Sequence, residues 1–212
     1  MYIPNLRRKQ PVKIALIRHG ESEANKNGII QGHLDFSLTE KGKQQAIEIA
    51  SNLLKKEMHF QKIYSSDLSR AKETAEIIAE KLKIADLNFD ARLREFNLGI
   101  FQGRNNYEMT EEEKKFLQSC WADHTKRVPE GENVVEMKTR VKNIFDEIIQ
   151  ENDEDSNILI IGHGGSLYHI LHSTLLIFPE TNEWFENCKF NAIFRVSEKD
   201  NWKLTYFNDK KM

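Results

Sequence analysis

The amino-acid sequence predicts an α/β fold, a three-layer α/β/α sandwich around a mostly parallel central sheet, for a chain of 212 residues. Two observations carry this expectation. Short aliphatic runs suited to buried strands alternate with longer segments whose apolar residues recur at helical spacing. Two of the runs, Val12 to Ile17 and Asn157 to Ile161, pass directly into His-Gly loops, and open α/β sheets place their ligands beyond the carboxyl ends of their strands.

Val12 to Ile17, bounded by Pro11 and by Arg18-His19-Gly20, reads as a buried strand. From Thr39 to about Glu57, residues Ala46, Ile49, Ala50, Leu53 and Leu54 mark one face of a helix, and Ser37-Leu38-Thr39-Glu40 has the form of a capping box. Ile63 and Tyr64 mark a second strand. Ser65, Ser66 and Asp67 then stand as candidate caps for a helix reaching Leu82, with Arg70 in its first turn. Asn88 to Asp90 suggests a third strand, and Leu93 to Gly103, punctuated by glycine, reads as an irregular loop that carries Glu95.

A polar helix from Asn106 to Cys120 is followed by an amphipathic one from Val134 to Gln150, whose apolar face is Val134, Met137, Val141, Ile144, Phe145 and Ile148. After an acidic surface connection, Glu151 to Asp155, the segment Asn157 to Ile161 is aliphatic, as strands buried on both faces of a parallel sheet are. It leads through Gly162-His163-Gly164-Gly165 into a helix ending near Leu176. Alternation of Phe190, Ala192, Phe194 and Val196, then of Trp202, Leu204 and Tyr206, predicts a closing hairpin turned at Glu198 to Asn201.

Length favours one domain over residues 1–212, with the polar, basic stretch 1–11 as a flexible leading segment. A formal charge of −2 offers no basic excess for nucleic acid. No run approaches the roughly 20 apolar residues that span a bilayer, so no membrane partner and a cytoplasmic location are expected. Cys120 and Cys188 stand alone, which suggests free thiols used in packing. His163, His169 and His172 do not make a ligand set, because the last two lie within a helix and no carboxylate stands at ligand spacing. No metal and no cofactor are expected, and no oligomeric state is legible.

Transfer of a phosphoryl group from an ester needs a nucleophile, cations for the equatorial oxygens, and an acid for the departing alkoxide. The chain offers His19 beside Arg18 at a strand end, Arg70 at a helix start, His163 in a glycine-flanked loop, and Glu95 as the acid. Arginines suit the dispersed charge because their forked donors grip two oxygens at once. The same guanidinium groups should lower the pKa of His19 and keep it an unprotonated nucleophile. Glu95 must start protonated, a state that an incoming phosphate dianion favours.

These motifs, in this order, resemble the histidine phosphatase superfamily, which includes cofactor-dependent phosphoglycerate mutases and the bisphosphatase domain of the fructose-2,6-bisphosphate enzyme. The resemblance runs from about Lys13 to Asn208. It rests on Arg18-His19-Gly20-Glu21-Ser22 with Asn25, on Gly32, Asp35, Leu38, Thr39 and Gly42, on Ser65 to Ala71, on Leu93-Arg94-Glu95 with Gly99 and Gly103, and on Gly162 to Gly165. It implies a phosphoglycerate mutase-like fold, His19 as the residue that becomes phosphorylated, and Glu95 as proton donor and then acceptor. Arg18, Arg70 and His163 are implied as phosphoryl ligands, with Asn25, Gln31, Gly32 and Gly164 in the substrate and phosphate site. A small phosphorylated metabolite is the implied partner.

Within that resemblance the chain looks more like the phosphatases. Mutases of the family carry a long insertion with an arginine pair before Ser-Phe-Asp, and Tyr107 to Val128 shows nothing similar. Some positions depart from the family: Ser37 stands where it often has proline, Ala24 where mutases have tryptophan, and Phe101-Gln102-Gly103 is intermediate between the Trp-Glu-Gly common in phosphatases and the Gln-Gly seen in mutases. A phosphoglycerate mutase is the alternative, and a catalytically silent phospho-ligand module a further one that the presence of His19 and Glu95 disfavours. Specificity is expected from Gln31 to Phe36, Phe101 to Met109 and Trp121 to Val134, which lie between the motifs.

Overall fold

Ile158, Leu159, Ile160 and Ile161 are fully buried, as are Ile14, Leu16 and Ile17, and this fixes where their strands lie. The computed structural model describes residues 12–153, 156–178, 184–195 and 200–212. The expected leading segment 1–11, residues 154–155 of the acidic connection, and Val196 with the first half of the hairpin turn lie outside the described residues.

Strands β1 (Val12–Arg18) and β4 (Asn157–Gly162) are neighbours at the centre of the sheet. With β2 (Lys62–Ser65), β3 (Asp86–Phe89), β5 (Asn191–Arg195), β6 (Lys203–Phe207) and β7 (Lys210–Lys211), the described strands take the order β3-β2-β4-β1-β5-β6-β7. The first four run parallel, and β5, β6 and β7 are antiparallel additions.

Beyond the short α1 (Glu23–Asn27), helices cover both faces. On one, Ala46, Ala50 and Leu53 of α2 (Glu40–Lys55) and Ala71, Ala75 and Ile78 of α3 (Ser69–Leu82) pack with Ala15, Ile17, Leu159 and Ile161. On the other, Met137, Val141 and Ile144 of α5 (Val134–Glu151) and Leu167 of α6 (Gly164–His169) pack with Ile14, Leu16, Ile158 and Ile160. Successive residues of β1 and β4 therefore serve opposite cores, as the period of two requires. Each large aliphatic side chain so buried stabilises the fold by about 1.5–3 kcal/mol. The result is the mixed α/β class that the sequence predicts.

Four local expectations are corrected. Helix α2 is capped by Thr39, whose hydroxyl accepts from Gly42 N at 3.0 Å. Ser37 cannot cap because its carbonyl accepts from Glu23 N and Leu38 bridges Ser22, which keeps this backbone extended. Helix α3 starts at Ser69 without a side-chain cap, since Ser66 faces His163 and Asp67 holds Arg94. The expected helix from Asn106 divides into a short turn, Asn106–Glu108, and α4 (Glu111–Ala122), because Thr110 and Glu113 form a capping box of their own. The helix after His163 is α-helical only to His169 and continues as a wider π turn, Ile170–Thr174. Cys120 and Cys188 are free and buried, and no helix among the described residues is long and apolar enough to cross a membrane.

Candidate active site

Strand register brings the two histidines together. β1 and β4 pair in parallel with Arg18 opposite Gly162, so His19 and His163 leave the sheet side by side. His19 N donates to Gly162 O at 3.0 Å, and the imidazole centroids are 5.1 Å apart. β2 pairs with β4 with Ser65 opposite Ile161, which carries Ser66 to within 2.8 Å of His163 Nε2. Arg70, in the first turn of α3, donates to Leu34 O at 3.0 Å and Gly32 O at 2.8 Å. A Cβ on Gly20 would lie 2.5 Å from Gly42 O, so the first loop can seat on α2 only because it lacks a side chain there.

His19 Nδ1 lies 2.7 Å from Gly20 O. A carbonyl oxygen only accepts, so Nδ1 carries the proton and Nε2 keeps its lone pair. Burial, and after it Arg70 and Arg18, hold the His19 pKa well below the histidine range. The guanidinium effect expected from the sequence is thus present but second to desolvation. His163 is lowered in the same way, by burial first and then Arg70.

The cations themselves are unusual. Arg70 is wholly buried, and burial lowers its pKa to about 10. Arg18 donates through Nη1 to Phe185 O at 2.9 Å. Neither guanidinium has an ion-pair partner among the described residues, and Arg18 Nε, Arg70 Nε and His163 Nδ1 are buried without a hydrogen-bond partner there. Buried charges are ordinarily paired; a site with two unpaired guanidinium groups around a neutral imidazole is built to receive an anion.

Glu95 faces the same cavity, of about 840 Å3, which Arg18, His19, Asn25, Gln31, Gly32 and Arg70 also line. Its Oε1 accepts from Phe96 N at 2.8 Å and Gly165 N at 3.1 Å. Its backbone oxygen accepts from His33 Nε2 and from Arg140 Nη2, each at 2.8 Å. Arg140 also binds the carbonyls of Arg92 and Arg94 and pairs with Glu132, so one α5 side chain staples the acid loop. Among the described residues no group of three His, Cys, Asp or Glu side chains is placed to hold a metal ion.

Residues 14–210 match the family model described as the histidine phosphatase superfamily, branch 1. The chain belongs to this family. This histidine phosphatase superfamily member is 38% identical over 186 residues to an Escherichia coli protein named "Probable phosphoglycerate mutase GpmB", covering 86% of this chain and 84% of that one. Among solved structures it resembles a mycobacterial glucosyl-3-phosphoglycerate phosphatase complexed with VO3, with TM-score 0.78, 27% identity and coverage of 94% and 100% of the two chains. It also resembles a phosphoserine phosphatase mutant from Entamoeba histolytica in complex with phosphoserine, with TM-score 0.75, 27% identity and coverage of 93% and 96%.

The remaining expected residues divide. Asn25 spends its Oδ1 on the Ser22 backbone N–H within a capping box, and Gln31 Oε1 accepts from the Ser22 hydroxyl at 2.8 Å. Gly32 offers its carbonyl to Arg70. Gly164 lies against Trp184, and it is Gly165 whose N–H meets Glu95. His33, in the Gln31 to Phe36 stretch, positions the Glu95 backbone. Sequence reasoning missed Ser66 as a partner of His163, Arg140, and Asn187, whose Nδ2 donates to His19 O at 2.6 Å. Ser66 stood in the quoted motif; Arg140 and Asn187 carried no local signal.

A Cβ at position 165 would lie 2.2 Å from Glu95 Oε1. Gly165→Ala in this histidine phosphatase family member is therefore expected to push the carboxyl group aside and lower kcat by about a hundredfold, the scale of misplaced general acids. Steady-state kinetics checks this, and an unchanged kcat would contradict it.

The lowered histidines also set acid stability. His19 and His163 lie well below the ordinary 6.5, and burial lowers His169 to about 4. Below 6.5 the unfolded chain binds protons that the native one does not, so stability is full above that pH and falls as pH falls, at about 1.4 kcal/mol per unit for each such group. The urea midpoint should drop between about pH 7 and pH 5; a midpoint that holds or rises would mean that the imidazoles are not buried neutral.

Proposed function

We propose that the protein is a phosphatase that hydrolyses phosphate monoesters of small metabolites through a phosphohistidine on His19. The buried Arg70 and half-buried Arg18 guanidinium groups, neither with an ion-pair partner among the described residues, beside a neutral imidazole carry the reading, because a tetrahedral dianion supplies the charge they lack. His19 Nε2 attacks phosphorus while the ester P–O bond breaks, and Glu95 delivers its proton to the leaving oxygen. Arg18, Arg70 and His163 hold the equatorial oxygens, where transition-state charge is spread. Water then attacks the phosphohistidine, Glu95 takes its proton, the P–N bond breaks, and phosphate departs with His19 restored.

A proton donor matters most when the leaving group is a poor one. Glu95→Gln is expected to slow an alkyl phosphate by about a hundredfold or more and to slow p-nitrophenyl phosphate much less. Equal losses on the two esters would remove Glu95 from the acid role.

Two relatives of known fold named as phosphatases support water as acceptor. The name of the Escherichia coli relative favours a mutase. A mutase must retain a second anionic group of its substrate, for which the outer cavity wall offers Lys138 and His124 beside its aromatic side chains. Assay of p-nitrophenyl phosphate without added metal, beside bisphosphoglycerate-dependent isomerisation of phosphoglycerate, tests the choice. Phosphate release with little isomerisation is expected; isomerisation with negligible release would overturn it.

A further inference from the structure

Two aromatic walls rise from the reacting centre, each anchored next to a residue assigned above. One begins at Trp184, whose indole Nε1 lies over Gly164, the residue after His163; a Cβ on that glycine would be 2.4 Å away. Tyr168 stacks on Trp184 at 4.9 Å between centroids and 22° between planes, and His172 stacks on Tyr168 at 4.0 Å and 13°. The π turn at Ile170–Thr174 carries His172 into this row, and such turns recur at functional sites. The other wall begins at Phe96, the residue after Glu95, which meets Trp121 edge-on at 4.6 Å. All five side chains line the cavity that holds His19, Arg70 and Glu95.

Packing accounts for Phe96, which is 2% exposed within the core, but not for the outer rings. Trp184 is 52% exposed and Trp121 43% exposed, and Tyr107 at the rim of the same cavity is 83% exposed. Large apolar side chains gathered around one cavity mark a binding surface. The cavity's 840 Å3 lies near the top of the roughly 300–1,000 Å3 range that takes drug-sized ligands, well beyond a phosphoryl group with a three-carbon tail. The rings of the row stack face to face and meet the cavity with their edges, and a planar π system complements such edges by edge-to-face contact.

We infer that the substrate is a phosphate monoester whose leaving alcohol carries a planar aromatic ring system, bound between the Trp184–Tyr168–His172 row and the Phe96–Trp121 pair. The inference rests on the phosphatase reading and names its substrate class. The phosphoryl group sits with Arg18, Arg70 and His163, the ester oxygen faces Glu95, and the aromatic body extends outward between the walls.

The test compares esters of similar leaving-group basicity: naphthylethyl phosphate and adenosine monophosphate against glycerol phosphate and phosphoglycerate. The wild type should show kcat/KM at least about tenfold higher for one or both aromatic esters, the scale of two ring contacts, and which of the two is preferred separates a simple arene from a nucleoside. Trp184→Ala, and independently Trp121→Ala on the opposite wall, should each cut that ratio at least fivefold or so; because the readout is a ratio, partial loss of folded enzyme does not mimic it. Equal or better turnover of the compact esters, or a ratio that neither variant moves, overturns the inference and leaves the phosphatase reading standing. Absence of phosphate release from every ester overturns the phosphatase reading and the inference with it.

Discussion

Replacing His19 with alanine is expected to reduce phosphate release by at least about ten-thousand-fold, the scale seen when an enzyme loses a nucleophile. No neighbour can substitute. His163 has its Nε2 on Ser66 and is deeply buried, Glu95 is tied to the N–H groups of Phe96 and Gly165, and neither Cys120 nor Cys188 lines the cavity. The variant should still fold, because His19 sits at the end of β1 and the cores of both faces are made elsewhere. It should still bind inorganic phosphate or vanadate, since Arg18 and Arg70 remain. Calorimetric binding with turnover lost is the expected pair of results; activity within tenfold of wild type would remove His19 from the reaction.

The second large effect is expected at Arg70. Its two terminal nitrogens are fixed on Leu34 O and Gly32 O while Nε has no partner among the described residues, so the planar fork is held in place before substrate arrives. Lysine has the charge but not the fork. Arg70→Lys is expected to lower kcat by about a hundred- to a thousandfold, as removal of a preorganised transition-state donor does. Phosphate at a hundred times its Kd should stabilise the wild type against unfolding by about 2.7 kcal/mol. That gain should largely vanish in Arg70→Met, because the anion then meets one guanidinium instead of two. Thermal unfolding with and without phosphate reads the difference; an undiminished shift in the variant would place the anion elsewhere.

Much of this was legible in the sequence for a local reason. Asn157 to Ile161 and Val12 to Ile17 are short, aliphatic and followed at once by His-Gly, so both strand and loop are written in adjacent residues. Arg70 could be put in a helix's first turn on the same grounds. What local pattern could not supply is pairing: that Arg18 stands opposite Gly162, and hence His19 beside His163, depends on residues 144 apart in the chain by their numbering. The cap at Thr39 was misplaced because Ser37 is held by the Glu23 N–H, again a long-range bond. Nothing local marks Arg140, though three carbonyls of the acid loop depend on it. Tyr168 and His172 stand one turn apart and look like an ordinary helix face. Their role in the cavity wall emerges only when Trp184 stacks on the first of them.

The central claim is that a phosphoryl group passes through Nε2 of His19. Rapid acid-free quenching of the enzyme during turnover, followed by peptide mapping by mass spectrometry, measures it directly. The expected result is a base-stable, acid-labile phosphoryl adduct on the peptide containing His19. An adduct on any other residue would contradict the account, as would inversion at phosphorus in a chiral ester, which indicates one direct displacement by water rather than two successive transfers.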